Sequence, residues 1–116
     1  MIGRLKSVVL DCPDPKALAE FYSELLGLPI TYVDSDWVDV GDGKTKLSFK
    51  EAPDHQPQRW PDPDFPQQFH LDIHVDSIDE AEPKVLALGA KLLSSTAKTW
   101  RVFADPAGHP FCLTWN

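Results

Sequence analysis

Two stretches of this chain end alike, in Leu26-Gly27 and in Leu88-Gly89, and the sequence around them is alike as well. Before the first, Leu18, Phe21, Tyr22 and Leu25 recur at the three-and-four spacing of a buried helical stripe. Asp14 stands where a capping side chain is wanted, and Pro15 suits a first helical turn, where a missing N–H costs nothing. Gly27 supplies the left-handed residue that closes such a helix. The spacing therefore predicts a helix over 15–26. Ahead of it, Arg4 to Asp11 reads as a strand, weighted by Leu5, Val8, Val9 and Leu10. Three short strands are expected after it, at Ile30 to Val33, Trp37 to Val40 and Lys46 to Lys50. Ser35-Asp36 and Gly41-Asp42-Gly43 provide the turns between them. A β-α-β-β-β unit closes near Glu51.

The second half repeats the plan. Ser77-Ile78-Asp79-Glu80 matches a capping box, and Ile78, Ala81, Val85 and Leu88 form the helical stripe that stops at Gly89. Pro83 fits badly in a helix interior, so the regular helix is expected to begin near Glu80. Strands are expected at Lys91 to Ser95, Trp100 to Ala104 and Phe111 to Trp115, with Asp105-Pro106-Ala107-Gly108 turning the chain before the last. Neither copy is long enough to bury its sheet alone. A single domain over 1–116 is expected, made of a module at 1–51, a proline-rich linker at 52–67 and a second module at 68–116. The linker holds Pro53, Pro57, Pro61, Pro63 and Pro66, which favour an extended, stiff path. Trp60 does not suit a bare linker: it either seals the core or walls a concavity.

The opening strand of the second copy carries the chemistry. In Gln68-Phe69-His70-Leu71-Asp72-Ile73-His74-Val75-Asp76 the apolar residues alternate with Gln68, His70, Asp72 and His74, the period of a strand with one dry face. Bulk water would be met as well by Thr, Lys or Ser, so two imidazoles flanking a carboxylate suggest a face that lines a concavity. Residues two apart on that face are separated by roughly 6.6 Å and residues four apart by roughly 13 Å. His70 and Asp72 are therefore within reach of one ion, whereas His70 and His74 are not without a bulge. The blander reading is a half-exposed strand whose polar groups only hold hydrogen bonds.

Composition excludes several function classes. The formal charge is −7, and no Lys/Arg cluster occurs, which argues against a nucleic-acid binder. No apolar run approaches the roughly 20 residues needed to cross a bilayer, so no membrane role is expected. The N-terminus lacks the apolar core of a secretion signal, which points to the cytoplasm. Cys12 and Cys112 lie far apart and outside any zinc-type spacing, and free thiols are expected.

Taken together, Val8-Val9-Leu10-Asp11-Cys12, Ala19-Glu20-Phe21-Tyr22, Leu26-Gly27-Leu28, His70-Leu71-Asp72-Ile73-His74-Val75, Leu88-Gly89-Ala90 and Asp105-Pro106-Ala107-Gly108-His109-Pro110-Phe111 resemble the vicinal-oxygen-chelate superfamily. That superfamily includes glyoxalase I, bleomycin-resistance proteins, extradiol dioxygenases and fosfomycin-resistance enzymes. The closest likeness is to its small glyoxalase-like proteins. The resemblance implies an α+β fold of two βαβββ modules whose sheets form an open cup, commonly paired as a homodimer. Metal-dependent members place ligands on the first, fourth, fifth and eighth strands, usually His, Glu or Gln, and those places fall here on Ser7, Ser48, His70 and Cys112. Only His70 is a standard match. Neutral serines are poor ligands, and Cys112 would serve zinc only as a thiolate. The expectation is therefore a protein with little stoichiometric zinc, nickel, iron or manganese and no firmly assigned cofactor. A divalent metal at a rearranged site using His70, Asp72 or His74 is left open.

Two functions follow from the resemblance. The first is a binding protein that sequesters a small molecule, such as a drug or metabolite, with Trp60, His70, Asp72 and His74 in contact with it. The second is a lyase or isomerase of the glyoxalase kind, with His70 or His74 as acid or base beside Asp72, since histidine titrates near neutral pH and a carboxylate can orient it.

Overall fold

The computed structural model describes all 116 residues, Met1–Asn116. They pack as two compact units, Met1–His55 and Gln56–Asn116. Both are βαβββ modules, so the fold is α+β as expected. The first contains β1 (Val8–Cys12), α1 (Pro15–Leu26), β2 (Ile30–Val33), β3 (Trp37–Gly41) and β4 (Lys46–Glu51). The second contains β5 (Leu71–His74), α2 (Ile78–Ala87), β6 (Lys91–Ser94), β7 (Trp100–Ala104) and β8 (Pro110–Thr114). Their sheets have the same topology, β1-β4-β3-β2 and β5-β8-β7-β6, with the first pair parallel and the others antiparallel. No helix is long and apolar enough to cross a membrane.

In the first unit the local signals act as read. Asp14 Oδ1 accepts from the Ala17 N–H at 3.2 Å, Pro15 opens α1, and Gly27 closes it at φ 67°. The helix buries Leu18, Ala19, Phe21 and Tyr22. Tyr22 stacks on Phe49 of β4 with ring centroids 5.6 Å apart. The first strand is shorter than expected: residues 1–6 form no strand, and Met1, Ile2 and Leu5 are exposed because no neighbouring strand pairs with them.

The second unit departs further from expectation. Its helix begins at Ile78 rather than near Glu80. The Ser77 hydroxyl accepts from the Glu80 N–H at 3.3 Å and fixes the start, leaving Pro83 inside the helix. The opening strand covers only Leu71–His74, because pairing to β8 begins at Leu71↔Phe111. Phe69, expected on the dry face, is 90% exposed.

The two helices also differ underneath. Ala19 and Val38, both fully buried, have as counterparts Glu82 and Arg101, which form an ion pair at 2.9 Å. The α2 helix buries only Val85, and Phe103 stacks on Phe111 behind it.

The proline-rich segment from Gln56 onward packs with the second unit. A Cβ on Gly108 would lie 2.5 Å from Pro57 Cβ, and Gly108 sits at φ 89°, so only glycine admits both the turn and the proline. Asp105 Oδ1 holds that turn by accepting from the Ala107 and His109 N–H groups at 2.8 and 3.0 Å.

Candidate functional site

Strand register decides which side chains meet in the second unit. Asp72 lies opposite Cys112 in the parallel β5–β8 pair, and Val102 lies opposite Cys112 on its other flank. His70 precedes Asp72 by two residues, on the same face. That face forms the floor of a concavity of about 470 Å³, within the usual range for small-molecule sites. Trp60 and Trp100 line it together with His70, Asp72, Val102 and Cys112, while Gln67, Thr114 and Asn116 complete the wall. Trp60 thus takes the second of its two sequence readings and walls a concavity.

Three of these side chains are mutually engaged. His70 Nε2 lies 3.1 Å from Asp72 Oδ1, with both side chains substantially exposed. The Cys112 thiol, buried at the centre of β8, donates a hydrogen bond to Asp72. Burial, then the Asp72 charge and that hydrogen bond, push the thiol up to about 11 from 9.0. At neutral pH it is a protonated, unreactive thiol. His74 is not brought in with them. Its Nε2 lies 3.4 Å from Asp76 Oδ1 at the far end of β5, with its side chain 59% exposed.

The first unit has its own concave face, of about 430 Å³, and different chemistry there. Ser48 donates to Asp39 Oδ1 at 2.6 Å, and the Trp37 indole N–H donates to the same oxygen at 2.8 Å. Lys46 Nζ lies 3.3 Å from Asp39 Oδ2. The Ser7 and Ser48 oxygens are 3.0 Å apart; since Ser48 gives its one proton to Asp39, Ser7 supplies the proton between the hydroxyls. Burial raises the Asp39 pKa, but the hydrogen bonds from Ser48, Trp37 and Lys46 outweigh it, and the carboxyl is held below its usual value. Of the four superfamily ligand positions, Ser7 and Ser48 thus lie inside a hydrogen-bonded network of the first unit, and His70 and Cys112 lie in the second.

Sequence reading left several of these residues unassigned. Trp100 and Val102 could have been found from period two along β7, where they alternate with Arg101 and Phe103. Asp39 carried no signal of its own. Only the register β3–β4, which sets Asp39 opposite Ser48, brings them together.

A family model described as a glyoxalase-like domain matches residues 7–114. The chain belongs to the glyoxalase-like family. Solved structures agree on the fold. A glyoxalase/bleomycin resistance/dioxygenase family enzyme from Burkholderia phytofirmans PsJN superposes with TM-score 0.77 at 19% identity, covering 96% of this chain and 97% of that one. The fosfomycin resistance protein FosX from Listeria monocytogenes, as a mutant complexed with Mn(II) and 1S,2S-dihydroxypropylphosphonic acid, gives TM-score 0.76 at 17% identity, over 100% of this chain and 92% of that one. The bleomycin-binding protein of Streptomyces verticillus, complexed with copper(II)-bleomycin, gives 0.60 at 22%, over 100% and 99%. No curated protein matches the sequence. Among glyoxalase-like chains, then, this one combines a serine network in its first module with a His-Asp-Cys cluster in its second.

Proposed function

We propose that this glyoxalase-like protein binds and sequesters a small molecule, a drug or a metabolite, in the concavity of its second unit, without using the superfamily's metal set. The observation that carries the reading is the contrast at the four ligand positions. Ser7 and Ser48 are neutral hydroxyls committed to each other and to Asp39, so two of the four do not suit a divalent cation in that arrangement. The concavity in the second unit has what a binding site needs instead: two indole walls and a few placed polar groups. The Asp72 carboxylate gives it a preference for cationic or hydrogen-bond-donating aromatic ligands. Structural neighbours that bind bleomycin or confer fosfomycin resistance support the reading at the level of small-molecule handling.

The protein acts as a single cytoplasmic domain and pairs as a homodimer, for which Val8 and Val9 on the edge strand β1 and Leu92 and Leu93 on the edge strand β6 leave apolar surface available. Light scattering that finds only monomer at micromolar concentration would remove the dimer.

The test of binding is tryptophan fluorescence across a diverse small-molecule panel with chelator-treated protein. Stoichiometric binding without turnover is expected. Trp60→Phe, His70→Ala and Asp72→Asn should each weaken it, with Asp72→Asn acting about tenfold on cationic ligands and little on neutral analogues. Ligands indifferent to all three variants would place the site elsewhere. A second reading, a lyase or isomerase, draws on the His70–Asp72 contact at 3.1 Å, the geometry of an oriented acid or base; His74 would join it only through the ligand. Turnover of a 2-oxoaldehyde–thiol adduct, lost on His70→Ala, would establish that reading over the first.

A further inference from the structure

The superfamily's ligand positions are divided between the two units, but the second unit holds a donor set of its own. His70, Asp72 and Cys112 each present one ligand atom, and the three atoms lie within 4.8 Å of one another. Backbone register produces the cluster: Asp72 and Cys112 are paired across adjacent parallel strands, and His70 is the next residue along the same face. We propose that these three side chains form a site for a divalent cation of zinc type within the concavity lined by Trp60 and Trp100.

The donor chemistry selects the ion. One imidazole, one carboxylate and one sulfur suit zinc, whereas magnesium and calcium prefer all-oxygen surroundings. Ligand atoms around tetrahedral zinc stand about 3.3–3.8 Å apart, given bonds of about 2.0–2.3 Å. The cluster must contract slightly, and it has the freedom to do so. The His70 and Asp72 side chains are 39% and 62% exposed and can rotate, while Cys112 is fixed on the interior strand β8. Without metal, Asp72 already holds both partners, accepting from the thiol and lying 3.1 Å from His70 Nε2. A cation replaces those two contacts with bonds to the same three groups. The thiol proton leaves to solvent as the sulfur–metal bond forms, and nothing is oxidised or reduced.

This site keeps two of the superfamily positions, His70 and Cys112, and differs from that arrangement in taking Asp72, which stands at none of them, in place of Ser7 and Ser48. It shares His70 and Asp72 with the proposed small-molecule site, but that binding is read on chelator-treated protein and the metal is read without the small molecule, so either can fail without the other.

The test is titration of metal-free full-length protein with Co(II), a spectroscopic stand-in for zinc. One equivalent should bind at micromolar concentration, with a sulfur-to-cobalt charge-transfer band and the intense visible bands of a tetrahedral site, and zinc should bleach both. Cys112→Ser should remove the charge-transfer band. Asp72→Asn and His70→Ala, at exposed positions that leave the fold intact, should each weaken binding by about tenfold or more. Ser48→Ala, whose effect is on the Asp39 network of the first unit, should leave the cobalt bands and affinity unchanged. No band up to millimolar cobalt in the wild type, a band that survives Cys112→Ser, or one lost in Ser48→Ala would overturn the proposal.

Discussion

One residue ahead of β1 stands Ser7, and one residue ahead of β5 stands His70; Ser48 is third in β4, and Cys112 is third in β8. The frames match, and the difference lies in where each module keeps its carboxylate. In the first unit it is Asp39, on the β3 flank of Ser48, where a buried carboxylate is stabilised by Trp37, Ser48 and Lys46 together. Its counterpart in the second unit is Val102. There the carboxylate has moved to the other flank, onto Asp72 of the edge strand β5, whose own counterpart in the first unit is Val9. A carboxylate on the inner strand is absorbed into structure, and one on the edge strand stays available. Aromatic positions are conserved between the copies, as Trp37 and Trp100, but only Trp37 has its indole N–H committed to a carboxylate in its own module.

The largest test of that contrast is stability. Asp39→Ala leaves the Ser48 hydroxyl, the indole N–H and Lys46 without their shared acceptor and should cost about 3 kcal/mol. Asp72→Ala, at a side chain 62% exposed, should cost under about 0.5 kcal/mol. Urea unfolding followed by circular dichroism would measure both, and equal losses would dissolve the distinction between a structural and an available carboxylate.

A second test exchanges chemistry between the two helix–strand contacts, Glu82 with Arg101 and Ala19 with Val38. Arg101→Val alone strands the Glu82 carboxylate, one oxygen of which is already buried without a partner, and should cost about 2 kcal/mol. The double variant Glu82→Ala/Arg101→Val recreates the Ala19/Val38 pairing of the first unit and should recover most of that loss. If the double variant is as unstable as the single one, the ion pair matters for more than its mutual neutralisation.

A third, smaller effect concerns the Cys112 thiol. Peptide-resolved alkylation should show Cys112 reacting slowly at pH 8, because burial and the Asp72 charge keep it protonated to about 11. Asp72→Asn removes the charge but not the burial, so the reaction should speed up without reaching the rate of a free thiol. An unchanged rate would assign the shift to burial alone.

Much of the frame was legible in the sequence because the signals were local. Asp14-Pro15, Gly27 and the spacing of Leu18, Phe21 and Tyr22 fixed α1 to the residue, and the β2 and β7 ranges were read as they stand. The strand ends at Arg4 and Gln68 were not legible. An alternating pattern continues past the point where a neighbouring strand runs out, and pairing rather than polarity ends a strand. The site was half legible for the same reason. His70 and Asp72 sit in one short span, while Cys112 joins them only through the β5–β8 register, and His74 shares their pattern yet lies by Asp76. Ser7 and Ser48 read as poor ligands from chemistry alone, but the partner that occupies them, Asp39, needed the fold.

The finest test sets the two clusters at opposite ends of the pH scale. The Asp39 pKa is lower in the folded chain than its ordinary 3.8, so the network's contribution is fully present above 3.8 and is lost as pH falls through the folded value. The Cys112 pKa is raised from 9.0 to about 11, so the opposite holds. Its favourable protonated state costs nothing below pH 9, and stability declines as pH rises from 9 to about 11, where the unfolded chain ionises and the folded one resists. Asp39→Asn should therefore flatten the acid limb of the stability profile and leave the alkaline limb alone, whereas Cys112→Ala should flatten only the alkaline limb. Chemical denaturation at closely spaced pH values, followed separately through probes in each unit, gives both limbs from one set of curves. If either variant altered both limbs, the two networks would be energetically coupled rather than private to their modules, and the contrast drawn between Asp39 and Asp72 would have to be recast as one shared electrostatic system.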